Sequence, residues 1–176
     1  MSWLITRTPS KAERVADDVR EQLFGEPEGW QVRVGEDRWL RRYLDSLADP
    51  GCVYVEVPVG GAAGGTIRRI DAVRLSPLAA QVRNYAPSGF EADLAKAREI
   101  EIIEVKRTLN RPVVGQLLVA RDRAWQDWSL SPDRRLSLLA LVTVTDLAIE
   151  RFCMRNGIRV KIVDHLPEDT ETDEAW

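Results

Sequence analysis

The chain has 176 residues, of which 44% are hydrophobic and 30% charged, enough to bury one core and too apolar for wholesale disorder. Collagen, coiled-coil and low-complexity classes are excluded by composition, and two cysteines, Cys52 and Cys153, are too few for a secreted disulfide framework and lack paired zinc-site spacing. The net charge is −3, but six of the 28 acids lie from Asp164 onward without Lys or Arg, leaving 22 acidic against 25 basic residues, so a basic face remains possible.

The first predicted element is an amphipathic helix over 10–24, with Val15, Val19 and Leu23 at helical spacing, followed by an extended lead-in over 30–34. A second helix is expected over 36–47, where Trp39, Leu40, Tyr43, Leu44 and Leu47 share one face. CVYVEVPV at 52–59 and TIRRIDAVRL at 66–75 alternate and are β-branched, predicting a hairpin around the glycine-rich tip at 60–65. That tip lacks a Gly-Lys-Ser/Thr ending and precedes a strand, so it reads as a turn rather than a phosphate cradle.

Residues 77–87 read as irregular or weakly helical, and 90–98 as a short charged helix. A strand follows over 100–108, then a helix over 113–128, a buried strand over 136–145, a helix over 146–155 and a last strand over 158–163. The apolar run 136–149 is too short for a membrane span and carries Asp146; with no basic leader before an apolar segment, a cytoplasmic protein without membrane contact is expected. Crossover helices between the later strands imply a mixed sheet covered on both faces, a three-layer α/β domain. The expected organisation is a helix and lead-in over 1–34, a core domain over 35–163 and an acidic tail over 164–176.

The strand over 100–108 puts Ile102, Glu104 and Lys106 on one face. Ions on a strand flanked by helices are costly unless they are paired or ligate something. The hairpin adds acids: if Val59 faces Thr66, Glu56 opposes Arg69 and Tyr54 opposes Asp71. Were the hairpin to lie beside that strand, Asp71, Glu104 and Lys106 would converge, with Glu56 at the rim. Two carboxylates and the intervening Val105 carbonyl make an oxygen-rich set suited to Mg²⁺ or Mn²⁺.

Glu36, then RRIDAV with Asp71, then IIEVK with Glu104 and Lys106, then a helix with Gln116, together resemble the PD-(D/E)xK nuclease superfamily over about 35–163. The resemblance implies a restriction-endonuclease-like fold, with a central mixed β-sheet flanked by helices, that hydrolyses DNA phosphodiesters with Mg²⁺ or Mn²⁺. It implies Asp71 and Glu104 as metal ligands, Lys106 as catalytic amine and Glu36 as supporting acid. NRPVVGQLLVARD looks like the Gln-bearing helix of the RecB-like and archaeal Holliday-junction-resolvase-like branches, with Gln116 as its glutamine. The sequence departs from the pattern in having Ile70 in place of proline, Ala120 in place of a branch tyrosine, and a long separation between Asp71 and Glu104, which suggests an element inserted over 77–98 that helps choose the substrate.

Each residue also has a structural explanation. Asp71 can pair with Arg69 or Arg74, Glu104 with Lys106, and Glu56 with Arg69; Glu36 can serve a helix dipole, and a helical Gln116 is ordinary. Trp125 and Trp128, near Arg121 and Arg123, can stack on bases or anchor a core, whereas His165 has no nucleophile and acid around it. The expected function is a DNA nuclease of repair, recombination, restriction or phage defence. The alternatives are a nuclease-like module that binds nucleic acid or a protein partner with little cleavage, and a structural α/β subunit. Apolar edges permit a homodimer.

Overall fold

The computed structural model describes residues 35–60, 66–131 and 133–164. The helix expected over 10–24, the lead-in over 30–34, most of the glycine-rich tip, His165 and the acidic tail beyond Asp164 lie outside the described residues. In chain order the elements are α1 (Glu36–Asp45), β1 (Cys52–Val59), β2 (Arg68–Ser76), β3 (Gln81–Asn84), α2 (Pro87–Lys96), β4 (Glu99–Thr108), α3 (Arg111–Asp127), β5 (Arg135–Val144), α4 (Leu147–Arg155) and β6 (Ile158–Ile162). They form an α/β arrangement with one six-stranded mixed sheet in the order β3-β1-β2-β4-β5-β6.

Two cores define the layers. Against one sheet face α2, α3 and α4 place Phe90, Leu94, Val113, Leu117, Ala124 and Cys153. Against the other, α1 places Trp39, Leu40, Tyr43 and Leu44 over Val53, Val55, Ile103 and Leu139. The parallel β4–β5 and β5–β6 pairs are joined by α3 and α4, which therefore lie on the same face, leaving the other to α1. Among the described residues, no helix is long and apolar enough to cross a membrane.

Local chemistry sets several boundaries. Asn110 accepts a hydrogen bond from the Val113 N–H and Pro112 occupies the first turn, where its missing donor costs nothing, so α3 starts at Arg111, earlier than expected from its apolar spacing. Asp146 caps α4 through the Ala148 and Ile149 N–H groups. Strand β3, which falls in the stretch expected to be irregular or weakly helical, is four residues paired parallel to β1. Only Val82 of the four is buried, a pattern too short to carry a strand period by itself.

The hairpin register differs from the expected one by two residues. Val59 pairs with Arg68 rather than Thr66, so Tyr54 opposes Val73 rather than Asp71, and Arg69 opposes Pro58 rather than Glu56. A long glycine-rich tip exerts little control over register, which is set by the strands' apolar faces. The alternation also slips: Cys52 and Tyr54 share a core with Val57 and Val59, although the two pairs differ in parity. Glu56, at φ 57°, is where the slip occurs, with the pairing register unchanged on either side of it. Ile70 shares that core with Val73 and Leu75, so β2 slips at Asp71 and Ala72. The two irregularities face one another, beside the place where the acids gather.

Candidate active site

Strands β2 and β4 pair only from Ala72 opposite Ile103 to Ser76 opposite Glu99, whereas β2 starts four residues earlier and β4 runs on to Thr108. Beyond this ladder the strands part, and the backbone N–H of Val105 needs another acceptor. Asp71 Oδ2 supplies it at 2.8 Å and accepts from Lys106 Nζ at 3.1 Å. A side chain thus takes over where the backbone ladder stops.

Lys106 Nζ is the hub of the cluster. It donates to both carboxylate oxygens of Glu36 at 3.0 Å and stands 3.9 Å from Glu104 Oε1. Glu36 lies in the first turn of α1, so it complements the helix dipole as well as binding the ammonium. Four residues from three separate segments, Glu36, Asp71, Glu104 and Lys106, therefore meet at one end of the β2–β4 gap. With three carboxylates and one ammonium, the cluster carries an excess of negative charge when all are ionised.

Burial makes that excess expensive. Glu104 is 3% exposed. Desolvation first, then the neighbouring Asp71 and Glu36 charges, push its carboxyl up to about 8, against the opposing pull of Lys106. Burial also raises Glu36, partly countered by its bond to Lys106. Lys106 is depressed by desolvation but held above its ordinary value by Asp71 and Glu36. Glu101, the other buried acid of β4, is 4% exposed and accepts from Tyr43, Arg74 and Arg159. That contrast separates a carboxylate neutralised by cationic and hydroxyl donors from one that favours its protonated form.

The remaining expected residues divide. Gln116 of α3 lines a cavity of about 230 Å³ with Glu104, and Ala120 lines it one turn further on. Val105 contributes its N–H to Asp71 while its side chain is buried against α1. Glu56 is not brought to the cluster. It is exposed and 3.5 Å from Arg69, the ion pair anticipated as its structural alternative, because the left-handed backbone at this position breaks the alternation. Trp125 is exposed, whereas Trp128 packs edge-on against Phe90 at 5.2 Å.

Sequence reading passed over the Glu101 network and Arg68, which lines the Glu104 cavity. The second acid of IEIIEVK was a visible signal for Glu101; its partners Tyr43, Arg74 and Arg159 come from three other elements and left none.

Asp71 and Glu104 are the residues that could hold a hard divalent cation. A buried carboxylate that resists ionisation beside another carboxylate is stabilised by such an ion, and Mg²⁺ binds through one or two carboxylates while retaining waters. Among the described residues no group of three or more His, Cys, Asp or Glu side chains is arranged to hold a metal, which leaves Asp71, Glu104, the Val105 carbonyl and water as the candidate donors. No protein-family model matches the chain, and no curated protein or solved structure matches it significantly.

Proposed function

We propose that the chain is a metal-dependent nuclease that hydrolyses DNA phosphodiester bonds, on a restriction-endonuclease-like variant of the α/β architecture. The observation that carries this reading is the meeting of Glu36, Asp71, Glu104 and Lys106 where β2 and β4 separate. Asp71 and Glu104 would hold Mg²⁺ or Mn²⁺ with the Val105 carbonyl. Bound there, the ion supplies Lewis acidity toward a phosphate and lowers the pKa of a water.

The protein's own groups do the rest. Asp71 is fixed by the Val105 N–H, so its second oxygen has a defined position before any ligand arrives. Burial and the neighbouring Asp71 charge favour the protonated form of Glu104, which must give up that proton to act as a ligand. Lys106 stays charged and is oriented by Glu36, which leaves its ammonium directed at the acids and available to charge developing on a phosphate. Gln116 and Arg68 face the same cavity as Glu104 and can position the substrate.

The test is cleavage of single-stranded, double-stranded and branched DNA with Mg²⁺ or Mn²⁺. Loss of about a hundredfold or more is expected in Glu104→Ala and Lys106→Ala, the scale of removing a charge-stabilising group; activity unchanged in both rejects the site. The ion pairing of Lys106 to Glu36 and Asp71 also favours a second reading, a nuclease-like binding module in which Lys106 takes the place beside these acids that a metal ion would otherwise fill. Absence of specific Mn²⁺ binding in a metal titration selects that reading.

A further inference from the structure

The cavity containing Glu104 and Gln116 is bounded on its far side by Arg68, Arg69 and Ile70 of β2. Val59, which lines it, also lines a larger cleft of about 580 Å³, so the two adjoin beside the hairpin. Tyr85, Phe90 and Trp128 wall the larger cleft. Helix α3 lends Gln116, Val119 and Ala120 to the smaller cavity and, at its end, Asp127 and the C-cap Trp128 to the larger. From Gln116 to its C-cap Trp128 is twelve residues, about 18 Å at 1.5 Å per residue.

The chemistry differs between the two ends. Arg68 is exposed and has no acidic partner among the described residues, whereas Arg69 is tied to Glu56. An exposed guanidinium at the cavity that holds Glu104 matches a phosphate in shape and charge. At the other end Tyr85 and Trp128 are half-buried, and both rest on Phe90, at 5.5 and 5.2 Å between ring centroids. Their planes are thereby fixed in advance. The charged groups here are Glu91, Asp127, whose carboxylate accepts from the Gly60 N–H, and Arg134, which is held by the Leu94 and Ala95 carbonyls. Two carboxylates against one guanidinium give that rim a slight acidic excess, and its carboxylate oxygens can accept hydrogen bonds from the exocyclic amines of bases.

We infer that the Tyr85–Trp128 cleft is a nucleobase-holding subsite that anchors an unpaired DNA strand, with Arg68 gripping a phosphate between that base and the Glu104 cavity. The identity of the ligand as DNA rests on the nuclease reading. A cleft of this volume takes a group of nucleoside size, so the base it holds is out of a duplex and lies on aromatic rings. The element that builds one wall, from Tyr85 through Phe90 and Glu91, falls within the stretch expected to help choose the substrate.

The experiment measures binding of labelled oligodeoxycytidine, oligothymidine and a blunt duplex to the full chain in EDTA, by fluorescence anisotropy across a salt series. Oligodeoxycytidine is expected to bind best, because its amine meets the acidic rim, and the duplex worst. Tyr85→Leu and Trp128→Leu should each weaken single-strand binding about tenfold, within the range of losing one stacking contact. Arg68→Gln should lower the slope of log affinity against log salt by about 0.7, the share of one phosphate on a single strand.

Equal binding of duplex and single strands, or wild-type affinity in folded Tyr85→Leu, overturns the inference. Thermal unfolding checks each variant, and Tyr85→Leu decides the matter if Trp128→Leu does not fold. Because no divalent ion is present, cleavage plays no part: a chain that binds as stated but never cuts keeps the subsite and loses the hydrolysis reading. A chain that cuts through Glu104 yet ignores Tyr85 and Trp128 does the reverse, and one that binds no DNA loses both.

Discussion

Replacing Glu104 with glutamine should stabilise the protein at alkaline pH while abolishing cleavage. The carboxyl is 3% exposed and titrates near 8 in the folded chain, against an ordinary value of 4.5. Below about pH 4.5 it is protonated whether the chain is folded or not, and the neutral amide of the variant mimics it with little effect on stability. Between 4.5 and 8 the unfolded chain gives up this proton and the folded chain retains it. Wild-type stability therefore falls by about 1.4 kcal/mol per pH unit across that window and levels off above it. The full window sets an upper bound of about 4–5 kcal/mol. Adjustment of Lys106 toward Glu104 reduces this to about 1–3 kcal/mol, or roughly 3–10 °C in melting temperature for a domain of this size. Thermal unfolding of wild type and Glu104→Gln at about pH 4 and about pH 8.5, without divalent ions, measures the difference. Matching melting temperatures at the lower pH and a higher one for the variant at the higher pH are expected. A variant equally or less stable at pH 8.5 refutes the argument that Glu104 is a desolvated acid under pressure from Asp71.

Other perturbations separate the roles of neighbouring groups. Asp71→Asn keeps an oxygen to accept the Val105 N–H and should leave stability within about 1 kcal/mol, whereas Asp71→Ala orphans that donor and should cost about 1–3 kcal/mol in chemical denaturation. Both should fail to cut. Glu101→Leu removes the acceptor shared by Tyr43, Arg74 and Arg159 and should destabilise by about 3 kcal/mol or more without changing activity per folded molecule, read from denaturation midpoints and active-fraction kinetics. Mn²⁺ affinity by calorimetry should tighten by up to about tenfold per pH unit as pH rises toward 8 and then level off, because Glu104 must lose its proton to bind. A pH-independent affinity removes Glu104 from the ligand set.

Much of the architecture was legible along the chain. Period-two alternation marked β1, β2 and β4; apolar runs punctuated by Asn110, Pro112 and Gly157 marked α3, β5 and α4. The Glu-x-Lys of β4 was visible as two charges on one strand face, and the acid of β2 as an interruption in a strand-like run. β3 was missed because its one buried side chain carries no period, and its existence depends on the neighbouring edge of β1. Glu56 was drawn into the metal set on strict alternation, which the left-handed backbone at that residue breaks.

Local spacing determined which segments are helix or strand and which acids lie where acids are costly, because both depend on neighbours a few residues apart. The tertiary structure alone decided that Asp71 caps Val105 in the gap beyond the ladder, that Lys106 reaches Glu36 across to α1, and that Glu101 meets Arg74 and Arg159 while burial beside Asp71 raises the pKa of Glu104. These outcomes turn on strand register, on where two strands part, and on distances between residues tens of positions apart. Such quantities arise from packing the whole sheet, and no window of sequence contains them.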